Sequence, residues 1–403
     1  MYLQYLILKF PRCLKTMKIA MVHTPFMTRT GGERQVLMLA LELQKLGHQV
    51  EIFTNYVDQD TYPELFSKLE INVVPIGRKS PKHLAKADAL SMIMLARKIT
   101  KGFDVINNHN FPTEVAAFLA KKRLKIPVVW MCNEPPFWYL HPEQREALAK
   151  LKWPVYSVFE KLAVKQIDEI LALSNLGAKT IREVYNRESR VVRSGVNVDF
   201  FHNASGNIFR KRNGLENDFV LLQVGTLVYY KRQVDSIAAL AMLSKKHDNV
   251  KLVLDGFGNP KFLMDLAEKL GVQDKIIFSH ASSDDELATI YAACDAFVYP
   301  SDNTWGLVVT EAMAASKPII VSKKSGAAEI IQDNITGFVV NHEKPIEIAD
   351  RLEILINNPK LTRDIGNNCY HYVKENLSWE KYAKSIEKIF YNTIEYPTVK
   401  TNL

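Results

Sequence analysis

"AFVYPSDNTWGLVVTEAMAASKPIIVS" runs from Ala296 to Ser322. It opens on an apolar run, crosses a short polar loop, continues through a greasy helical stretch and closes on a second apolar run. A strand that is apolar at every position, rather than at alternate ones, is buried on both faces, which is the situation of strands in a parallel sheet. The order strand, loop, helix, strand is one βαβ unit. One residue breaks the apolar character of its helix. Glu311 follows "LVVT" and precedes "AMAA". A carboxylate so placed is costly to bury without a partner. Its plainer role is a favourable charge near a helix N-terminus.

The same pattern repeats outward in both directions. "KIAMVH", "QVEIFT", "INVVPI", "DVINNH", "PVVWMC" and "EILALS" occupy the first half, and "FVLLQVG", "VKLVLDG", "KIIFSH", "AFVYP", "PIIVS" and "GFVV" the second. Helical patterns such as "ERQVLMLALELQKLG" and "DDELATIYAACD" lie between them. Two βαβ series in succession predict two doubly wound α/β domains, and 403 residues exceed one ordinary core. The expected division is a first domain over 17–201, a polar linker over 202–217 and a second domain over 218–376. A periodic helix over 377–395 is expected to return to the first domain. Residues 1–16 read as an upstream start or a poorly ordered tail, with a short membrane-surface foot as the rival reading.

Composition narrows the class without choosing a partner. The chain is 47% hydrophobic and 24% charged, as in globular proteins, and carries a net charge of +8. That balance suits nucleotide phosphates, an acidic membrane surface or nucleic acid, and suits equally a mildly basic surface with no partner. The basic residues form no stripe interleaved with aromatics in a recognisable nucleic-acid module. Four scattered cysteines, Cys13, Cys132, Cys294 and Cys369, form no C-x-x-C pair, and three read as buried thiols of a reducing compartment. No apolar run reaches the ~18 residues that span a bilayer.

Ligands of parallel sheets bind beyond the carboxyl ends of the strands, and the unusual residues gather there. In "TRTGGER", Thr30 and Glu33 have capping-box spacing, so a helix starts behind Gly31 and Gly32. Glycines there admit a close ligand, and free N–H groups attract phosphate, although the same turn often serves only as a turn. The pattern is not G-x-G-x-x-G, which argues against a nicotinamide cofactor. "VGTLVYYKRQ" leaves a strand through Gly225 and presents Lys231 and Arg232, cations suited to a diphosphate or simply to a solvated turn. Around residues 304–307 the helix carrying Glu311 offers free N–H groups, and Glu311 can accept from two neighbouring hydroxyls, as on a ribose.

Taken together, "GGERQVLMLALELQKLGHQVEIFT", "VGTLVYYKRQ", "ELATIYAACDAFVYPSDNTWGLVVTEAMAASKPIIVS" and "SGAAEIIQDNITGFVV" resemble the family-4 retaining glycosyltransferases of GT-B fold. "FTNYVDQDTYPELF" and "HNFPTE" resemble the mannosyltransferase-type members acting on lipid-linked or surface glycans. The resemblance implies two Rossmann-like domains facing across a cleft, and a nucleoside diphosphate sugar, GDP- or UDP-linked, on the second domain. Lys231 would contact the diphosphate, with Arg232 beside it and Gly225 in the preceding turn. Glu311 would hold the ribose as the second glutamate of E-x7-E. Gly31 and Gly32 would sit by the donor phosphates, and the amides of Trp305, Gly306 and Leu307 would meet sugar hydroxyls or phosphate. His109 would face the reacting sugar; its plainer role is a local hydrogen bond at a strand end. The chain departs from the family pattern at Asn303, where the first glutamate is expected, at Thr226, where an arginine is usual, and at Ser316, where a glycine is usual.

The implied reaction keeps the anomeric configuration and uses no metal, since cations and helix dipoles stabilise the leaving diphosphate and no D-x-D motif ends a strand. The acceptor, a glycan or lipid-linked glycan, belongs to the first domain. There Phe137, Trp138 and Tyr139 precede a lysine-bearing helix, with the basic run 121–125 nearby. Aromatics beside lysines suit a sugar-stacking acceptor site or an anionic membrane surface, and equally an ordinary packed amphipathic helix. The expected location is the cytoplasm, including its membrane face. Two rival functions stay open: a sugar-nucleotide epimerase, and a non-catalytic nucleotide- or glycan-binding protein.

Overall fold

The computed structural model describes residues 15–74, 89–136, 139 and 147–396. Two parallel sheets organise it. The first has the order β3-β2-β1-β4-β5-β6-β7. Its strands are β1 (Lys18–Val22), β2 (Gln49–Thr54), β3 (Glu70–Val73), β4 (Val105–His109), β5 (Val128–Met131), β6 (Glu169–Ala172) and β7 (Arg190–Val191). The second has the order β10-β9-β8-β11-β12-β13. It is built from β8 (Phe219–Val224), β9 (Val250–Asp255), β10 (Ile276–Ser279), β11 (Ala296–Tyr299), β12 (Ile319–Ser322) and β13 (Gly337–Val340). All twelve runs read as strands from the sequence contain one. The two-residue β7 escapes that reading because it is too short to carry a pattern.

Burial explains why the strands are apolar throughout. Ile19, Ala20, Met21 and Val22 of β1 are all fully buried, as are Ala296, Phe297 and Val298 of β11. Helices cover both faces, so no side of these strands meets water. Each sheet reverses its winding between two central strands. β1 pairs with β4 from Ile19↔Val105 to Val22↔Asn108, and β8 pairs with β11 through Leu221↔Ala296. A crevice opens at each such switch point beyond the strand ends.

The domains are stitched together around that gap. Ser174 Oγ donates to the Thr304 carbonyl at 2.5 Å, and Thr304 Oγ1 donates to the Asn133 carbonyl at 2.6 Å. Glu329 of the second domain accepts from the Asn175 and Leu176 amides at 3.0 and 2.8 Å. These begin the first-domain helix Asn175–Tyr185, so its positive end faces a carboxylate. The last helix, Trp379–Glu395, lies on the helix Gly31–Lys45. There Gln35 Nε2 donates to the Tyr382 hydroxyl at 2.9 Å and His48 meets Glu387 at 2.8 Å. The stretch expected to be an irregular linker carries a helix, Asn207–Asn213. Arg210 anchors it to the second domain through the Ala293 carbonyl and Asp295. Its short length and polar composition hide a periodicity that a buried Phe209 nevertheless fixes.

The first domain also buries two carboxyl groups side by side. Glu160 accepts from the hydroxyls of Tyr139 and Tyr185, at 2.7 and 2.5 Å. Glu114 is fully buried, and neither of its oxygens has a hydrogen-bond partner among the described residues. Burial, reinforced by the neighbouring Glu160, holds the Glu114 carboxyl well above the carboxylate range, and burial pushes Glu160 up to about 7. Here the folded chain keeps a proton that the unfolded chain releases near the ordinary value of 4.5. The pair's contribution to stability therefore declines as pH rises from that value through 7. Glu114→Gln removes the titrating acid. Thermal unfolding between pH 5 and pH 8.5 is expected to show the wild-type Tm falling relative to the variant's, by about 2–4 °C per kcal/mol. Parallel profiles would refute this account of the pair.

Candidate functional site

A cavity of about 420 Å³ lies between the domains at the strand ends. The second domain supplies one wall. Gly225 follows β8 and Gly256 follows β9, and the φ of +152° at Gly256 suits only glycine; a Cβ there would lie 2.1 Å from the Gly225 carbonyl oxygen. The two loops therefore pack backbone on backbone and leave the space in front of them open. Lys231 follows in a short turn. Its ammonium donates to the Tyr299 hydroxyl at 3.1 Å, and among the described residues it has no carboxylate at ion-pair distance. Burial works against its charge, but Tyr299, Tyr230 and Glu134 together outweigh it and the ammonium titrates above the ordinary lysine range. Asn303 Nδ2 donates to the same hydroxyl at 3.0 Å, and Ser325 Oγ donates to Asn303 Oδ1 at 3.3 Å. A cation and a carboxamide thus converge on one tyrosine oxygen.

Glu311 stands one turn inside the helix Leu307–Ala314, almost fully buried. The Tyr291 hydroxyl donates to one carboxylate oxygen at 2.9 Å. The other meets Arg34 Nη1, from the first domain, at 2.5 Å. Burial raises the Glu311 carboxyl, and the Arg34 guanidinium opposes that shift. Arg34 Nη2 also holds Asp284 at 2.6 Å, and Arg29 reaches the same Asp284 at 2.7 Å while lying over the Tyr62 ring. Both arginines flank the start of the helix Gly31–Lys45. Thr30 caps it by accepting from the Glu33 amide at 3.4 Å. The capping box is half made: Glu33 turns instead to the amides of Met27 and Thr28, at 3.1 and 3.3 Å.

All nine candidate donor-binding residues line this one cavity: Gly31, Gly32, Gly225, Lys231, Asn303, Trp305, Gly306, Leu307 and Glu311. Gly306 touches the Tyr299 ring so closely that a Cβ would fall 2.7 Å from it. Of the four amides expected to be free, Thr304 N–H is taken by Glu134 at 3.1 Å. Those of Trp305, Gly306 and Leu307 make no hydrogen bond among the described residues. Among the described residues, four that line the cavity also keep a buried polar atom without a partner: Arg34 Nε, Asn133 Oδ1, Ser194 Oγ and Trp305 Nε1. Such atoms are costly unless something occupies the space before them.

Other expected residues stand elsewhere. Arg232 turns away from the cavity, forks onto Asp235 at 2.9 and 2.8 Å and reaches Glu343 at 3.0 Å. The αL conformation at Arg232, φ +56°, swings its side chain off the line Lys231 follows. His109 is fully buried behind the cleft wall, with Nε2 on Asn107 Oδ1 at 2.8 Å. Burial, with His23 nearby, pushes its imidazole down to about 3. Tyr139 packs its ring on Trp153 and gives its hydroxyl to Glu160. Phe137 and Trp138 lie outside the described residues. The sequence reading missed Arg34, Asp284, Tyr291, Tyr299 and Glu134. Tyr299 and Tyr291 sit in apolar runs and read as core; the others read as surface charge. Among the described residues no three His, Cys, Asp or Glu side chains are grouped as metal ligands.

Comparison with known proteins places this geometry. Residues 29–200 match the model of Glycosyltransferase Family 4, and residues 206–372 that of Glycosyl transferases group 1. An uncharacterized glycosyltransferase of Methanocaldococcus jannaschii is 28% identical over 93% of this chain and 98% of its own length. A D-inositol 3-phosphate glycosyltransferase of Actinosynnema mirum is 25% identical over 93% of this chain and 96% of that protein. The crystal structure of Anabaena HepE in complex with UDP-glucose superposes with a TM-score of 0.76 at 18% identity, covering 93% of this chain and 100% of HepE. The fold is GT-B, and the chain carries a Glycosyltransferase Family 4 domain followed by a Glycosyl transferases group 1 domain.

Proposed function

We propose that this protein transfers a hexosyl group from a UDP- or GDP-linked sugar to a hydroxyl of a glycan or lipid-linked glycan, with retention of configuration and without a metal. One observation carries the reading. The Lys231 ammonium and the Glu311 carboxylate lie on the same wall of one interdomain cavity, and the unused amides of Trp305, Gly306 and Leu307 line it with them. A ribose suits Glu311, which accepts hydroxyls. A diphosphate suits Lys231 and the helix amides, which donate to anions. In the reaction the bond from C1 of the sugar to the β-phosphate oxygen breaks. The acceptor oxygen bonds to C1 on the same face, and its proton passes to the departing phosphate. Lys231 and the amides stabilise the charge that develops there. A closed cleft keeps water from C1.

The partners follow from the same geometry. HepE holds UDP-glucose in its crystal structure, so UDP is the first nucleotide to screen. The stretches that resemble mannosyltransferase-type members bear on the first-domain side. Thr61 and Tyr62 of residues 53–66 hold Arg29 and the Thr30 turn at the edge of the cavity. The helix Ala147–Lys165 exposes Val155, Val158, Phe159 and Leu162 along one stripe, with Lys161 and Lys165 also exposed. That amphipathic face supports peripheral contact with an anionic membrane on the cytoplasmic side. No helix of the described residues is long and apolar enough to cross a membrane.

Thermal-shift and calorimetric titration with UDP, GDP and their sugars test the donor side. Lys231→Ala and Glu311→Gln should each weaken binding about 10- to 100-fold, as expected for losing a hydrogen bond to a charged group. Arg232→Ala should stay within about twofold, because Asp235 and Glu343 already hold that side chain. No binding by the wild type, or equal losses in all three variants, would refute the site. Release of an isomerised sugar from donor alone would point to an epimerase instead.

A further inference from the structure

We propose that Arg34 is a positioning residue that makes recognition of the nucleoside's ribose conditional on closure of the cleft. The inference rests on the donor-site reading above and concerns how Glu311 becomes competent. Glu311 is 3% exposed. A carboxylate so placed takes up a proton unless a cation compensates it. Its own domain supplies a hydroxyl, Tyr291, and no cation at ion-pair distance among the described residues. The cation comes from the opposite domain. Arg34 Nη1 lies 2.5 Å from Glu311, and Arg34 Nη2 lies 2.6 Å from Asp284. One guanidinium of the first domain therefore grips two carboxylates of the second.

The bridge leaves room for a ligand. A carboxylate offers about four acceptor positions, and Tyr291 and Arg34 take one on each oxygen. A pair of adjacent hydroxyls can use those that remain. Arg34 Nε is buried with no partner among the described residues, so the guanidinium too has a donor to spare. The same bridge forms the partition between the main cavity and a second one of about 620 Å³, and Arg29, Arg34, Asp284 and Glu311 line both. When the domains part, Glu311 loses its compensating charge and the partner that orients it. When they close, it is an oriented anion. The groups facing it are Arg34, Tyr291 and Asp284, and of these only Arg34 favours ionisation by its charge.

The ligand itself supplies the test. Calorimetric titrations compare UDP and GDP with their 2′,3′-dideoxy counterparts on the wild type, Arg34→Met and Arg34→Lys, between pH 6 and pH 8.5. The wild type should prefer the ribose form of its nucleotide about tenfold or more. Arg34→Met should abolish most of that preference while leaving affinity for the dideoxy form within about twofold, and Arg34→Lys should restore part of it. In Arg34→Met the affinity for the ribose form should rise with pH, because Glu311 must then ionise unaided; in the wild type it should stay nearly flat. Should Arg34→Met not fold, Arg34→Gln is read in the same way. Equal loss for ribose and dideoxy forms, which would mean a direct phosphate contact, overturns the proposal. So does an intact ribose preference in the variant. A wild type that binds neither nucleotide overturns the donor-site reading, and this inference with it.

Discussion

Arg34 and Glu311 meet across the gap between two domains, and much of the site is arranged around that meeting. The carboxylate is buried because the helix Leu307–Ala314 packs into the second domain. The guanidinium is buried because it reaches over the cleft. Neither charge is affordable alone. Asp284 adds a second carboxylate to the same arginine, and Arg29 a second cation to the same aspartate. The four side chains form an alternating chain of charge along one edge of the cavity. Removing Arg34 or Glu311 would leave a buried charge unbalanced.

The opposite edge is closed by hydrogen bonds rather than ion pairs. Thr304 is the node. Its hydroxyl, amide and carbonyl bind Asn133, Glu134 and Ser174 respectively. All three partners belong to the first domain. The loop that carries Asn303 and Trp305 is thereby fixed to both domains at once, and small residues allow it. A Cβ at Gly326 would collide with the Thr304 carbonyl oxygen, and one at Gly177 would press on Ser174 Oγ. An ionic seam on one side and a hydrogen-bonded seam on the other define the space between.

Within that space the chemistry is uneven in a useful way. Lys231 faces the cavity beside the rings of Tyr299 and Tyr230, with no ion-pair partner among the described residues, whereas Arg232, one residue on, is spent on Asp235 and Glu343. Two adjacent cations thus divide into one presented and one structural. Tyr139 is drawn inward by Glu160, beside a buried Glu114 that keeps its proton. His109, which the family pattern sets before the reacting sugar, is a buried neutral imidazole among strand residues.

The sequence alone determined the two parallel sheets, the places of all strands but β7 and the loops that meet at the gap. Those features follow from local geometry: continuous apolar runs mean burial on both faces, and glycines and helix starts mark where backbone comes close to a ligand. Lys231, Glu311 and the glycine turns were legible for that reason. Tertiary structure decided who partners whom. Arg34 and Glu311 are 277 residues apart, and Arg34 and Asp284 250 apart. No periodicity links such positions, and a charged residue on a helix reads the same whether it meets water or a buried carboxylate. Tyr299 and Tyr291 were hidden for the converse reason, since an apolar run conceals a hydroxyl until its end is seen to open on a cavity. The fate of Arg232 and His109 turned on one backbone angle and one layer of burial, which only the packed chain fixes.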